Sequence, residues 1–410
     1  MIINDIIQVI FLSIFGGFIL YVFLLSVLAL LSKARTEFIT DRHRKFAIVI
    51  PAHNEELMIS QTLYSLFSMI YPKNRYQVFV IADNCTDDTA NIAKKIGATV
   101  LERTHQTDRG KGHALRWAFA QIIDRNEFDG IVVFDADSYV SGNFLTVMNY
   151  YIQQGAKVIQ SSDLVQPQPN VWSSEMTRIG FTLYNLVRPL GRDYLNLSMG
   201  LRGNGMCFKT EVLKEVPWEA YSLTEDIEYG ILLLLKGYDI KFAQEAKVIA
   251  KMPEQSKNAE SQRERWEIGR YPIIARYSFP LLTSFLKTGK LSYLDTFIDL
   301  VMPPLVNLLL AIGLFFMINL MLALIGFEPF FYYALAWGIV LALVISHLFI
   351  GFKAAKVDRN MYKALAHVPK YALWKLMLYA RSFIRGREKD WIRTSRDGNT
   401  VLGATPQDAD

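Results

Sequence analysis

The chain reads as an α/β domain with a mainly parallel sheet, joined to about three transmembrane helices. Three observations predict this. Short apolar, β-rich runs alternate with helical patterns through the middle of the chain, and such alternation builds a parallel sheet covered by helices. Polar clusters follow three of these runs, where open α/β sheets bind their ligands. Apolar stretches lie towards both ends and concentrate there the 51% hydrophobic content of the 410 residues.

Val9 to Leu31 is uncharged and almost wholly apolar, and about 20 helical residues cross a bilayer core. It is too long for the h-region of a signal peptide, no basic segment precedes it, and Lys33 and Arg35 follow it, so a membrane anchor is expected. Ala47–Ile50 reads as a strand and Glu55–Met69 as a helix. Gln77–Ala82 is a second strand, after which Thr86 is expected to cap a helix with Asp87 and Asp88 in its first turn. Ala98–Leu101 is a short strand, Gly112–Phe119 opens a helix, and Gly130–Phe134 and Val158–Ser161 are further strands. These runs are nearly continuous in apolar residues, as strands buried on both faces are.

Two more spans lie near Leu300–Ile325 and Phe330–Ile350. The turn Gly326-Phe327-Glu328-Pro329 makes them a helical hairpin. Lys33, Arg35, Arg42, Arg44 and Lys45 follow the first span, and Lys353 and Lys356 follow the last. The positive-inside rule puts both groups in the cytoplasm, which three crossings with an outside N-terminus satisfy. The division expected is 1–36 for the first span, 37–270 for a cytoplasmic domain and 271–298 for interface helices. The hairpin follows at 299–351, and 352–410 is an amphipathic interface segment and tail. In that last segment basic residues such as Lys370, Lys375 and Arg381 interleave with Tyr371, Trp374 and Phe383, a pattern that lies in a membrane interface rather than on nucleic acid. A net charge of +5 is modest, and two cysteines imply neither a disulfide framework nor a zinc site. Transport is disfavoured, because His347 and Asn307 are the notable polar residues of the hairpin.

The chemistry concentrates after the strands. Pro51-Ala52-His53-Asn54-Glu55 follows the first, Asp83-Asn84 the second, and Asp135-Ala136-Asp137 the fourth. Two hard carboxylates at a strand end suit Mg²⁺ or Mn²⁺ shared with a substrate diphosphate. Arg109-Gly110-Lys111-Gly112 is a Gly-flanked cation before a helix; it lacks the spacing of a P-loop. Further on come Gly203-Asn204-Gly205, then Thr224-Glu225-Asp226, then Gln262-Arg263-Glu264-Arg265-Trp266. In the last, Gln262, Arg265 and Trp266 share one helix face.

In this order, from about Lys45 to Arg270, Asp83, the D-x-D pair, the T-E-D triplet and the Q-x-x-R-W run resemble glycosyltransferase family 2, the GT-A fold. The flanking spans resemble its membrane-embedded synthase branch, which makes cellulose, chitin, hyaluronan and poly-N-acetylglucosamine. The resemblance implies a cytoplasmic GT-A (Rossmann-like) domain that takes a sugar from a nucleoside diphosphate, UDP above all, with inversion. It implies nucleotide contacts from Pro51, Ala52, Glu55, Asp83, Lys111 and Asp135. Metal ligation would fall to Asp135 and Asp137, and the catalytic base would be Asp226, since an attacking hydroxyl must lose its proton. Gly203, Asn204, Glu225, Gln262, Arg265 and Trp266 would face the acceptor. Trp391, Thr394 and Arg396 loosely match a gating segment. Each residue has a plainer reading: Glu55 as a first-turn helix residue, Asp83-Asn84 as a turn, Thr224 as a cap, the Q-x-x-R-W helix as an amphipathic surface helix.

The expected activity is extension of a β-linked saccharide, with the product passing into the membrane and a homo-oligomer or secretion partner completing the path. Transfer of one sugar to a lipid acceptor, a polyprenyl phosphate or diacylglycerol, is the alternative, and a catalytically silent sugar-nucleotide sensor or scaffold is a second. The expected location is the inner or plasma membrane.

Overall fold

A computed structural model describes residues 2–167, 172–251 and 256–385, with the side chains of 2, 256–267 and 378–385 excepted. Among the described residues eight strands form one sheet: β1 Phe46–Ala52, β2 Tyr76–Asp83, β3 Thr99–Arg103, β4 Gly130–Val133, β5 Ser138–Val140, β6 Val158–Val165, β7 Met206–Lys209 and β8 Ile240–Ala250. Their order across the sheet is β3-β2-β1-β4-β7-β6-β8-β5. The first four are mutually parallel. Beyond them the sheet is mixed: β7 runs antiparallel to β4 and β6, β5 antiparallel to β8, and β6 parallel to β8. The expected parallel half is therefore present, and the second half departs from it. Cys207-Phe208 lies in a central strand, and β5 and β8 are strands that the alternation did not announce.

The helices among the described residues are α1 Ile2–Ala29, α2 Ile59–Phe67, α3 Thr89–Ile96, α4 Lys111–Asp124, α5 Phe144–Gln153, α6 Trp172–Phe181 and α7 Arg188–Tyr194. They continue with α8 Thr210–Glu215, α9 Glu225–Leu235, α10 Ser256–Thr288, α11 Leu291–Val301, α12 Leu305–Leu324, α13 Glu328–Ala354, α14 Arg359–Ala364 and α15 Val368–Arg385. A π-helical turn, Thr182–Val187, joins α6 to α7. The sheet is buried on both faces. Ala47, Val49, Phe79 and Ile131 pack with α4 and α9 on one side, and Ile48, Ile50, Val80 and Val132 with α2 and α5 on the other. Burying each such side chain contributes roughly 1.5–3 kcal/mol, which is why the strands are apolar throughout.

Thr86 does not cap the next helix. The Asn54 side-chain Oδ1 accepts from its N–H at 2.7 Å, α3 begins at Thr89, and the Asp87 carboxylate accepts from Thr89 N at 3.1 Å. The tie to the loop after β1 holds Thr86 outside the helix.

Among the described residues three helices are long and apolar enough to cross a membrane: Ile3–Ala29, Leu305–Leu324 and Glu328–Ala354. Ile19, Ile312, Trp337 and Val344 form their common core. Gln8 joins all three, donating to Asn319 at 3.2 Å and accepting from the Trp337 indole at 2.8 Å, as polar side chains between membrane helices do. The position taken as the end of the cytoplasmic domain, residue 270, falls inside α10, which runs unbroken from the Q-x-x-R-W segment to Thr288 despite Pro272 and Pro280.

Candidate functional site

β1 has β2 on one side and β4 on the other, so the chain order reverses there. Ligands of open α/β sheets bind outside the strand ends at such a switch point. The residues after β1, β2 and β4 open onto it.

Pro51 and Ala52 close β1, paired with Ile81 and Ala82. The His53 ring donates from Nδ1 to the Asp83 carbonyl oxygen at 2.7 Å. Asn54 turns the chain with φ 58°, and the Glu55 N–H donates to Thr89 Oγ1 at 2.8 Å. Asp83 ends β2 and is buried. Arg103 of β3, also buried, donates to its Oδ1 at 2.6 Å. One carboxylate oxygen of Asp83 is thus committed inside the protein, a partner the sequence did not reveal.

The second group is tighter. Lys111, at the start of α4, donates from Nζ to Asp135 Oδ1 at 2.6 Å and to the Gly203 carbonyl at 2.6 Å, with Glu225 Oε1 at 3.8 Å. Gly203 has φ +79°, where a side chain is strained, and a Cβ there would stand 3.2 Å from Asp226 Oδ2. Lys111, Asp135, Gly203, Glu225 and Asp226 are therefore one constellation drawn from α4, the loop after β4, the loop before β7 and the first turn of α9. Thr224 precedes that turn, but its hydroxyl does not cap it; it donates to the Gly269 carbonyl of α10 at 3.1 Å. This contact sets the helix that carries Gln262, Arg265 and Trp266 beside the T-E-D triplet. The side chains of those three lie outside the described residues, as do Trp391, Thr394 and Arg396 entirely.

Charge follows burial. Burial pushes the Glu225 carboxyl up to about 7, opposed by Lys111 and reinforced by Asp226. Burial likewise raises Asp226, again opposed by Lys111. Burial disfavours the Lys111 ammonium, but Asp135, Glu225 and Asp226 outweigh it and hold the cation charged.

Asn204 is buried, and its side chain faces the D-x-D loop. Its carbonyl oxygen accepts from the Asp135 N–H at 3.1 Å, and its amide donates to Ser138 Oγ at 2.8 Å. The same amide reaches Asp163 Oδ1 at 3.5 Å, and Asn185 of the π-helical turn donates to Asp163 Oδ2 at 3.1 Å. Sequence reasoning passed over Asp163. Its signal was Gln160-Ser161-Ser162-Asp163, four polar residues inside a strand buried on both faces. Burial, then Asp135 and Asp137, raise its carboxyl well above the ordinary range.

Asp135 and Asp137 offer hard oxygen ligands. Among the described residues no group of three or more His, Cys, Asp or Glu is placed to hold a metal by itself. A divalent ion on this pair would complete its shell with substrate phosphate and water, the usual arrangement for Mg²⁺.

Residues 43–269 match the family described as Glycosyltransferase like family 2. The chain is 26% identical over 246 residues to a probable glycosyltransferase, YdaM, of Bacillus subtilis, covering 57% of each. It is 26% identical over 254 residues to the beta-monoglucosyldiacylglycerol synthase of Nostoc sp. PCC 7120, covering 60% of this chain and 53% of that one. With the 4,4'-diaponeurosporenoate glycosyltransferase of Staphylococcus aureus USA300 it shares 34% over 137 residues, 33% of this chain and 34% of that one. The alignments thus span about half the length of the first two relatives and a third of the last. In structure it is similar to the mannosyltransferase PcManGT of Pyrobaculum calidifontis, solved with GDP-Man and Mn²⁺, with TM-score 0.50 and 14% identity over 84% of this chain and 98% of that one. With more than half its length inside the family match, and with the matching α/β fold, the chain belongs to glycosyltransferase-like family 2.

Proposed function

We propose that this chain is an integral membrane, inverting glycosyltransferase that moves one sugar from a nucleoside diphosphate, UDP first among them, to a lipid acceptor. The observation that carries this is the constellation in which Lys111 bridges Asp135 towards Glu225 and Asp226. It sets a cation suited to a diphosphate next to a carboxylate suited to deprotonating a hydroxyl.

Asp226 takes the proton of the acceptor hydroxyl as that oxygen attacks the anomeric carbon. The bond from that carbon to the diphosphate oxygen breaks, and the nucleoside diphosphate leaves. A single carboxylate base without a covalent partner gives inversion. Lys111, held charged by its carboxylates, is aimed where negative charge grows on the leaving group. Asp135 and Asp137 would hold Mg²⁺ or Mn²⁺, which neutralises the same diphosphate. Pro51, Ala52, Glu55 and Asp83 would take the nucleoside, Asp83 through the oxygen that Arg103 does not engage. Asn204 positions Asp135 in this scheme, and Gly203, Glu225 and the Gln262–Trp266 face of α10 border the acceptor.

Support for a lipid acceptor is threefold. One relative is named for monoglucosyldiacylglycerol and another for diaponeurosporenoate. The three helices of crossing length among the described residues are few for a polysaccharide channel. The T-E-D triplet is tied to α10, which leads through α11 into the hairpin. The Q-x-x-R-W run favours the second reading, stepwise extension of a saccharide.

The test offers the purified protein, in mixed lipid micelles with Mn²⁺, labelled UDP-glucose, UDP-N-acetylglucosamine and UDP-galactose in parallel. Release of UDP and the size of the labelled product are followed. A label that extracts with lipid and carries one sugar is expected. A long polymer would replace this reading with the synthase one. Donor binding without any UDP release would point to the sensor.

A further inference from the structure

Beneath the catalytic constellation, where α1 meets the sheet domain, four arginines converge on two aspartates. Arg192 is matched, with Asp295 at 2.9 Å, Asp299 at 3.1 Å and the Tyr21 hydroxyl of α1 at 2.7 Å. Arg188 and Arg202 share Asp299, at 3.0 and 3.6 Å. Arg270 donates only to the carbonyl oxygens of Asp299 and Leu300, at 2.7 and 2.9 Å. Cations therefore outnumber anions here among the described residues. The excess shows as buried nitrogens without a hydrogen-bond acceptor: Arg188 Nε, Arg202 Nε and Arg270 Nε. Arg202 Nη1 donates to the Tyr184 hydroxyl at 2.9 Å, its Nη2 meets Asp299 only at 3.6 Å, and Arg192 Nε faces Asp295 Oδ2 as an ion pair without hydrogen-bond geometry. The side chains of Arg188 and Arg202 are 6% and 5% exposed.

A buried guanidinium with unused donors is destabilising unless an anion shares it. The cluster borders the reacting groups. Arg202 adjoins Gly203, the residue against Asp226, and Arg270 adjoins Gly269, the residue that receives the Thr224 hydroxyl. It also touches α1 and α11, the route to the membrane helices. Planar forks of N–H donors match phosphate or carboxylate oxygens.

We propose that Arg188, Arg202 and Arg270 form an anion site beside Asp226 that holds the acidic group of a lipid acceptor whose nucleophilic hydroxyl lies a few bonds away. This rests on the lipid-acceptor reading and narrows it. A hydroxyl needs the base that Asp226 supplies, whereas a phosphate oxygen acting as nucleophile would not. The acceptor of this chemistry carries both groups. Its hydroxyl oxygen bonds to the anomeric carbon, its proton passes to Asp226, the nucleoside diphosphate departs, and the acidic group is unchanged.

Two measurements on the full chain in micelles test this. In the first, transfer to phosphatidylglycerol, which has a phosphate and free hydroxyls, is compared with transfer to diacylglycerol, which has a hydroxyl alone. Wild type should prefer the phosphate-bearing lipid, and Arg202→Gln should lower that preference about tenfold or more, with partial return in Arg202→Lys. In the second, melting temperature is followed as phosphatidic acid replaces phosphatidylcholine. Wild type should be stabilised, and Arg202→Gln much less so. The second measurement needs no turnover, so stabilisation without any glycolipid product would retain the site while sinking the lipid-acceptor reading. Glycolipid formed with equal preference, and equal stabilisation of both proteins, would overturn the site. A rise in donor KM alone would assign these arginines to the donor diphosphate instead, and would overturn it as well.

Discussion

To serve as the proposed base Asp226 must be unprotonated, so the rate should rise with pH as its carboxyl ionises. Burial lifts Asp226, and lifts Glu225 beside it to about 7. The ascending limb of kcat/KM against pH should accordingly lie above the ordinary carboxylate range of about 4. Lys111 works against that rise, since its charge favours the ionised carboxyls. Lys111→Gln should move the limb to higher pH, as well as lowering the rate. A pH profile of the two proteins checks both statements; a limb unmoved by the substitution would separate Lys111 from the base. Asp226→Asn should lose roughly 10²–10⁴-fold in turnover while binding of UDP, followed by calorimetry, persists. Asn204 makes a different prediction. Its amide holds the Asp135 N–H, Ser138 and the buried Asp163 together. Asn204→Ala leaves groups unsatisfied at a cost of about 1–3 kcal/mol and loosens the D-x-D loop. The Mn²⁺ needed for half-maximal activity should rise several-fold, more than the acceptor KM. A change confined to acceptor KM would return Asn204 to the acceptor side, where the family resemblance puts it.

At the scale of elements, α7 fastens the sheet domain to α1. Gly191 is the point of contact: a Cβ there would stand 2.3 Å from the Leu25 carbonyl oxygen, and backbone cannot yield as a side-chain tip does. Gly191→Ala should lower stability by roughly 1–3 kcal/mol, read as a lower melting temperature in detergent. Gly97→Ala is the comparison, because nothing lies within 4 Å of that position and only its φ of +106° opposes a side chain. Equal losses in both would mean that the close approach to α1 matters no more than backbone strain. Elements of this kind also mark how far the sequence could be read. β1, β2 and β4 were legible because strands buried on both faces must be apolar along their length. The spans were legible because a bilayer demands uninterrupted apolar residues. β5, three residues long with a serine, a tyrosine and a valine, has no such run. β8 was hidden by Lys241, Gln244, Glu245 and Lys247, which a strand beside the short β5 tolerates. The site divides in the same way. Asp135, Asp137 and Asp226 stood in local motifs. Arg103, Asp163, Arg188 and Arg202 act through partners distant in sequence, and no local spacing announces a pairing made by the fold.

On the scale of the whole molecule, the charges around the spans and the position of the site make one joint prediction. The segment after α1 carries Lys33, Arg35, Arg42, Arg44 and Lys45, and α13 ends in Lys353 with Lys356 just beyond. Translocating either group is disfavoured, so both are expected on the cytoplasmic side. Among the described residues three helices are of crossing length. With both basic ends inside, the first helix must enter from outside and the hairpin turn at Ile325–Phe327 must face outside again. The sheet domain would then lie in the cytoplasm, joined to the membrane helices by α7 and the π-helical turn Thr182–Val187, which pack on α1 and α13, and by α10 and α11, which lead into the hairpin. Single cysteines at Asn4, Gly326 and Arg109, in a background with Cys85 and Cys207 replaced by serine, test this with a membrane-impermeant thiol reagent on intact cells. Labelling at positions 4 and 326, and at 109 only after lysis, is expected. Labelling of 109 in intact cells would invert the molecule. It would also remove the donor from reach of Lys111 and Asp135, so the same experiment bears on the proposed reaction as well as on the topology.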